Sequence, residues 1–149
     1  MKKEVEKLLQ YVQKPARYIG GELNAVVKDK DKIDIRYAFC FPDTYEIGMS
    51  HLGMKILYGL VNDREDSWCE RVFAPDNDME EQLRKNNVPL FALESGDYIK
   101  DFDMIGFTLQ YELSYTNVLN MINLAQIPLK SCDREHLMTH IFAGGPCAW

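Results

Sequence analysis

The chain has 149 residues, the size of one domain able to bury roughly two thirds of its unfolded surface. Hydrophobic residues at 46% and charged residues at 27% exclude a disordered, fibrous or repeat protein, and a net charge of −6 gives no broad positive field for a phosphate backbone. The start carries two lysines without an apolar stretch behind them, and nowhere is there a run long enough to span a membrane, so the expected setting is cytoplasmic. Cys40, Cys69, Cys132 and Cys147 stand singly with no C-x-x-C pair, which argues against a zinc site or a disulfide scaffold and for reduced thiols.

Residues 2–13 place Val5, Leu8, Leu9 and Val12 at helical spacing, and Pro15 ends that helix. The paired glycines of Tyr18-Ile-Gly-Gly-Glu22 predict a turn, Leu23 to Lys28 a strand, and the charged run 28–32 a turn into the next strand, making a hairpin. Residues 33–41 alternate: Ile33, Ile35, Tyr37, Phe39 and Phe41 share one face, and the other face turns apolar at Ala38 and Cys40. This is a central strand covered on both sides only near its C-terminal end. Pro42 stops it, because proline has no N–H for the ladder.

Helical spacing of Ile47, Met49, Leu52, Ile56, Leu57 and Leu60 predicts a helix over 46–61, with Gly48 and Gly53 near its start. Each glycine costs about 1 kcal/mol in a helix, so close approach of a neighbour or ligand is expected there. A strand over 68–74 follows, then Pro75 to Asp78 cap a helix reaching about Asn87, with Glu80 and Glu81 in its favourable first turn. Val88 to Leu93 predicts a short strand, Met104 to Leu109 a buried one, Glu112 to Ala125 a helix closed before Pro128, and His140 to Ala143 a last strand ending in Gly144-Gly145-Pro146. Strands alternating with helices define an α/β fold: a mostly parallel, Rossmann-like sheet with helices on both faces, plus an N-terminal helix and hairpin extension over 1–31. Because such a domain normally continues past this point, 32–149 is expected to be truncated at its C-terminus.

Three strand ends should meet on one edge of the sheet: the turn from Asp43 to Gly48, the segment from Thr108 to Glu112, and Gly144-Gly145. This pattern resembles cobalamin-binding Rossmann-like domains, which carry Asp-x-His-x-x-Gly after the first strand, Ser-x-Leu after a middle strand and Gly-Gly after the next. Here the turn is Asp43-x-Tyr45-x-x-Gly48, the loose counterpart of the serine segment is Thr108-Leu109, and the double glycine is Gly144-Gly145. The wording Tyr18-Ile-Gly-Gly-Glu22, Phe41-Pro-Asp-Thr-Tyr-Glu-Ile-Gly-Met-Ser50, Arg71-Val-Phe-Ala-Pro75 with Asp78-Met-Glu80, Gly106-Phe-Thr-Leu-Gln-Tyr-Glu112 and Ala143-Gly-Gly-Pro-Cys-Ala148 is similar to the N-terminal region of a family of radical S-adenosylmethionine proteins with a cobalamin-binding-like domain.

The resemblance implies a cofactor-binding or accessory domain, with cobalamin as the ligand and Asp43, Tyr45, Gly48, Thr108, Leu109, Gly144 and Gly145 around it. It also implies a C-terminal radical S-adenosylmethionine domain of the same protein as partner, holding S-adenosylmethionine and a 4Fe-4S cluster, since C-x-x-x-C-x-x-C is absent here. Neither nucleic acid nor membrane is expected as a partner. Tyr45 stands where the related domains have the histidine that ligates cobalt, so any corrinoid would bind without that nitrogen. The alternative is a degenerate module that has lost the ligand and serves as an interaction or lid domain. Each residue also has a structural alternative: Asp43 a helix cap, Tyr45 a packed ring, the glycines an ordinary turn. His51 is expected at the surface or half-buried rather than as a cobalt ligand, and His136 and His140 lack the glutamate of a metalloprotease helix. No nucleophile elbow, phosphate loop or dinucleotide fingerprint occurs, and a receiver-like phosphoacceptor role for Asp43 lacks the paired acids that bind magnesium.

Overall fold

The computed structural model describes residues 2–148. In chain order it contains α1 (Lys3–Leu8), β1 (Ile35–Phe41), α2 (Tyr45–Ser50), α3 (Leu52–Asn62), β2 (Ser67–Phe73), α4 (Asn77–Asn86), β3 (Met104–Thr108), α5 (Ser114–Leu124) and β4 (His140–Gly144). The four strands are parallel and lie in the order β2-β1-β3-β4, so the chain steps one way from β1 to β2 and the other way from β1 to β3.

The alternation in β1 divides the core. Ala38 and Cys40 join Val72, Ile105 and Phe107 beneath α1, α4 and α5, where Val5, Leu8, Met79, Leu83 and Met121 pack. Phe39 and Phe41 point the other way and meet Met54 and Tyr58 of α3 in a smaller cluster. Helices therefore cover both faces, as expected of a parallel sheet. Among the described residues no helix is long and apolar enough to cross a membrane.

Four local expectations are corrected. The first helix stops at Leu8 and a single tighter turn, because Gln13 N–H donates instead to the Asp78 carboxylate at 2.7 Å and Lys14 precedes a proline. Leu23 to Lys28 is no strand and makes no hairpin. β1 has β2 and β3 on its two sides and no edge to offer. Residues 23–28 instead form a strap held by side chains: Val26 N–H donates to the Tyr58 hydroxyl at 2.7 Å, Trp68 Nε1 to the Val26 carbonyl at 2.9 Å, and Lys28 Nζ to the carbonyls of Asn62 and Ser67 at 2.8 and 2.7 Å.

The helix expected over 46–61 breaks at His51, whose backbone is extended (φ −78°, ψ 110°) and whose Nδ1 accepts the Met54 N–H at 3.1 Å, capping α3. Val88 to Leu93 makes one antiparallel bridge, Phe91 with Tyr98, and otherwise satisfies its backbone elsewhere: Leu90 N–H donates to Leu124 and Leu93 N–H to Arg71, at 3.0 and 2.9 Å. That segment lies along the outer edge of β2.

Candidate functional site

In a doubly wound sheet the ligand crevice lies beyond the carboxyl ends of the strands, where the order reverses. Here that point is between β1 and β3, and it opens onto a cleft of ≈ 530 Å³ bordered by Asp43 and Thr44 after β1, Asp76 and Asp78 after β2, and Asn117 and Asn120 of α5. Its acids are already engaged. Asp43 Oδ1 accepts the Thr44 N–H at 2.7 Å and Oδ2 accepts the Tyr111 hydroxyl, which raises the Tyr111 pKa. Asp76 pairs with Arg17, and Glu80 accepts from Asn120 Nδ2 at 2.6 Å. Asn117 Nδ2 donates to the Pro42 carbonyl at 2.9 Å, tying α5 to the end of β1.

Asp43 is thus a clamp between the β1 turn and the loop after β3. It does not cap α2, whose Ncap is Thr44 with no side-chain cap bond. Thr108 and Leu109 close the same edge with Gly144 and Gly145. Thr108 lies opposite Gly144 in the ladder, and its hydroxyl accepts from Gln110 Nε2. Leu109 N–H donates to the Gly144 carbonyl at 2.7 Å, and its own carbonyl accepts from Cys147 N–H at 3.2 Å. Gly145 has φ +121°, and a Cβ there would sit 2.6 Å from the Leu109 oxygen, so only glycine fits. A Cβ on Gly144 would meet nothing within 4 Å.

Tyr45 and Gly48 are placed apart from that corner, in α2 and against Phe73 of β2. The Tyr45 hydroxyl donates to Glu22 at 2.9 Å and the ring stands edge-on to Phe73, centroids 5.4 Å apart. Burial and the Glu22 carboxylate raise its pKa. A Cβ on Gly48 would lie 2.2 Å from the Phe73 ring, so the close approach expected at this glycine is made by a core side chain.

Sequence reasoning missed the centre of this second cluster, Arg71. Its side chain, 8% exposed, pairs with Glu94 at 2.6 Å and Glu22 at 2.8 Å and lies over the Tyr58 ring. Burial opposes charge on both members of the inner pair. It lifts the Glu94 carboxyl above the ordinary range, while for Arg71 the two neighbouring carboxylates outweigh burial and raise the pKa further. A second buried pair, Arg36 with Glu70, sits where Arg36 lies over the rings of Trp68 and Phe102. The available signal was the Glu70-Arg71 dipeptide inside an otherwise apolar strand, since buried charges come in pairs.

Among the described residues no three His, Cys, Asp or Glu side chains gather to hold a metal ion. His51, whose Nδ1 caps α3, lies 5.1 Å from the Phe41 ring. Among the described residues the edge therefore offers hydrogen-bonding groups and shape without a cluster of metal-binding side chains.

Fold and edge together define a doubly wound, Rossmann-like α/β domain with an all-parallel sheet. More specifically, residues 53–149, well over half of the chain, match the family of N-terminal regions of radical S-adenosylmethionine proteins, and the chain belongs to that family. It is also 28% identical over 110 residues to an uncharacterized protein of Methanocaldococcus jannaschii, a match covering 74% of this chain and 19% of the relative. The matched region is thus about a fifth of the length of that relative. No solved structure matches the chain.

Proposed function

We propose that this chain is the accessory N-terminal module of a radical S-adenosylmethionine protein and that it works as an interaction domain, docking on the catalytic domain of the same polypeptide without a corrinoid of its own. In the full-length protein, S-adenosylmethionine and an iron–sulfur cluster would supply the radical chemistry from residues outside this chain. The observation that carries the proposal is the position of Tyr45. Its hydroxyl is bonded to Glu22 and its ring packed on Phe73, which supports a structural role for this position rather than a ligand role. An exposed apolar stripe on α3, Leu52, Ile56 and Leu60, each more than half exposed, supports a docking role, because monomeric proteins seldom leave such a patch uncovered.

Cobalamin is the second reading, favoured by one fact: Asp43, Thr108, Leu109, Gly144 and Gly145 share the C-terminal edge at the point of strand reversal. A corrinoid there would be held by the Thr108 hydroxyl and backbone groups around the glycine corner. Full-length protein reconstituted with hydroxocobalamin and passed over gel filtration separates the two. Loss of all corrinoid absorbance is expected. Retained absorbance that a Gly145→Val variant abolishes would overturn the interaction-only proposal.

A further inference from the structure

The two edges of the sheet are finished in opposite ways. On β2 the outward backbone groups are satisfied one by one: Cys69 N–H donates to Asn62 Oδ1 and its carbonyl accepts from Asn62 Nδ2, both at 3.0 Å. Arg71 N–H donates to Glu94 at 2.7 Å and its carbonyl accepts from Leu93 N–H at 2.9 Å. Among the described residues nothing comparable covers β4. His140 N–H bonds Asp103 and the Gly144 carbonyl bonds Leu109, so the even-numbered residues face β3. Ile141 and Ala143 therefore direct N–H and C=O outward, without a partner among the described residues. Edge strands are normally protected by lysine, proline or a bulge, and His140-Ile-Phe-Ala-Gly144 has none of these.

Beside this edge, the face opposite α4 and α5 carries an aromatic shelf. Tyr37 stacks on Phe39 at 5.6 Å and on Phe142 at 5.8 Å, with interplanar angles of 19° and 17°. The shelf needs Gly106 beneath it: a Cβ there would lie 2.3 Å from the Tyr37 hydroxyl oxygen and 2.8 Å from the Phe142 ring. Phe142 remains 44% exposed, and the Tyr37 hydroxyl has no hydrogen-bond partner among the described residues. Parallel sheets are buried on both faces, yet α2 and α3 pack only over β1 and β2.

We propose that the β4 edge and the Tyr37–Phe142 shelf form one docking surface for a fifth parallel strand and its helix, supplied by the same polypeptide in the full-length protein. The strand would pair with Ile141 and Ala143, and an apolar helix face would cover Phe142. Three observations select this occupant: the order β2-β1-β3-β4 is that of a flavodoxin-like sheet lacking its fifth strand; the relative described above is about five times longer than the region it matches; and the surface combines an open ladder with a flat apolar face, which a lone helix would leave half satisfied. The proposal rests on family membership and is independent of whether a corrinoid binds.

Residue-resolved hydrogen exchange on full-length protein tests it. The Ile141 and Ala143 amides should exchange about a hundredfold or more slower than the loop amides of 131–137. Exchange as fast as that loop overturns the proposal, as does protection that disappears on dilution, which would assign the edge to a second copy. Ala143→Pro in the full-length protein is the second arm. It should open the region after residue 144 to protease if the outward N–H is a ladder donor, and unchanged protease resistance overturns the proposal.

Discussion

Gly48→Ala distinguishes a glycine kept for a ligand from one kept for packing. The added methyl would lie 2.2 and 2.5 Å from two carbons of the Phe73 ring and 3.2 Å from Phe41. Phe73 is only half-buried and can swing, but doing so breaks its edge-on contact with Tyr45, worth about 0.5–1.5 kcal/mol. Overpacking costs typically about 1–3 kcal/mol, while alanine in a helix returns about 1 kcal/mol over glycine. The net expectation is a destabilisation of about 1 kcal/mol, read as a lower urea midpoint at unchanged slope. Gly144→Ala, where a Cβ meets nothing, should leave the midpoint within about 0.5 kcal/mol of the parent. Phe73→Leu should relieve most of the Gly48→Ala penalty, because the two changes share one space. A Gly48→Ala variant as stable as the parent, with no coupling to Phe73→Leu, would refute the packing argument and return Gly48 to the ligand side.

Two further outcomes follow from burial. Thiol reagents should label Cys132, exposed, first and Cys147, half-buried, more slowly, while Cys40 and Cys69, both buried with pKa values pushed up by desolvation, react only on unfolding; mass-spectrometric mapping of labelled sites checks the order. Tyr18 is raised to about 12 by burial and then by Asp78, against about 10 in an unfolded chain. The folded state therefore holds that proton more tightly, and its contribution to stability, complete below pH 10, is lost as pH rises from about 10 through 12. Tyr18→Phe should flatten the alkaline fall in urea midpoint over that window, and an unchanged profile would show that the phenol does not control it.

Much of the frame was legible because its signals are local. Strand β1 was readable from its alternation and from Pro42, α5 from its apolar run ending before Pro128, and the meeting of Asp43, Thr108, Leu109, Gly144 and Gly145 on one edge from parallel topology alone. What failed depended on partners far along the chain. The strap over 23–28 has the composition of a strand, and whether it pairs is decided by β3 taking the second side of β1. The break at His51 comes from an imidazole that caps α3 in the middle of an unbroken apolar period. Val88 to Leu93 is apolar enough for a strand, but its N–H groups are claimed by Arg71 and Leu124. The placement of Tyr45 and Gly48 depends on Phe73, and in the case of Tyr45 also on Glu22, neither of which is near them in sequence.

Tyr45 is consequently more than a histidine position with a different ring. Glu22 receives the Tyr45 hydroxyl on one carboxylate oxygen and the Arg71 guanidinium on the other, and Arg71 in turn holds Glu94 at the edge of β2. One chain of bonds thereby joins Glu22, just before the N-terminal strap, to the first turn of α2, the middle of β2 and the segment that protects the outer edge. Charged groups at this depth are tolerable only while every partner is present, and removing one leaves the others desolvated without compensation. An imidazole at position 45 is shorter than a phenol, and turning it towards a ligand at the strand ends would take it off Glu22. Position 45, which aligns with the histidine of the cobalamin-binding pattern, is in this chain the residue that completes the network through Glu22.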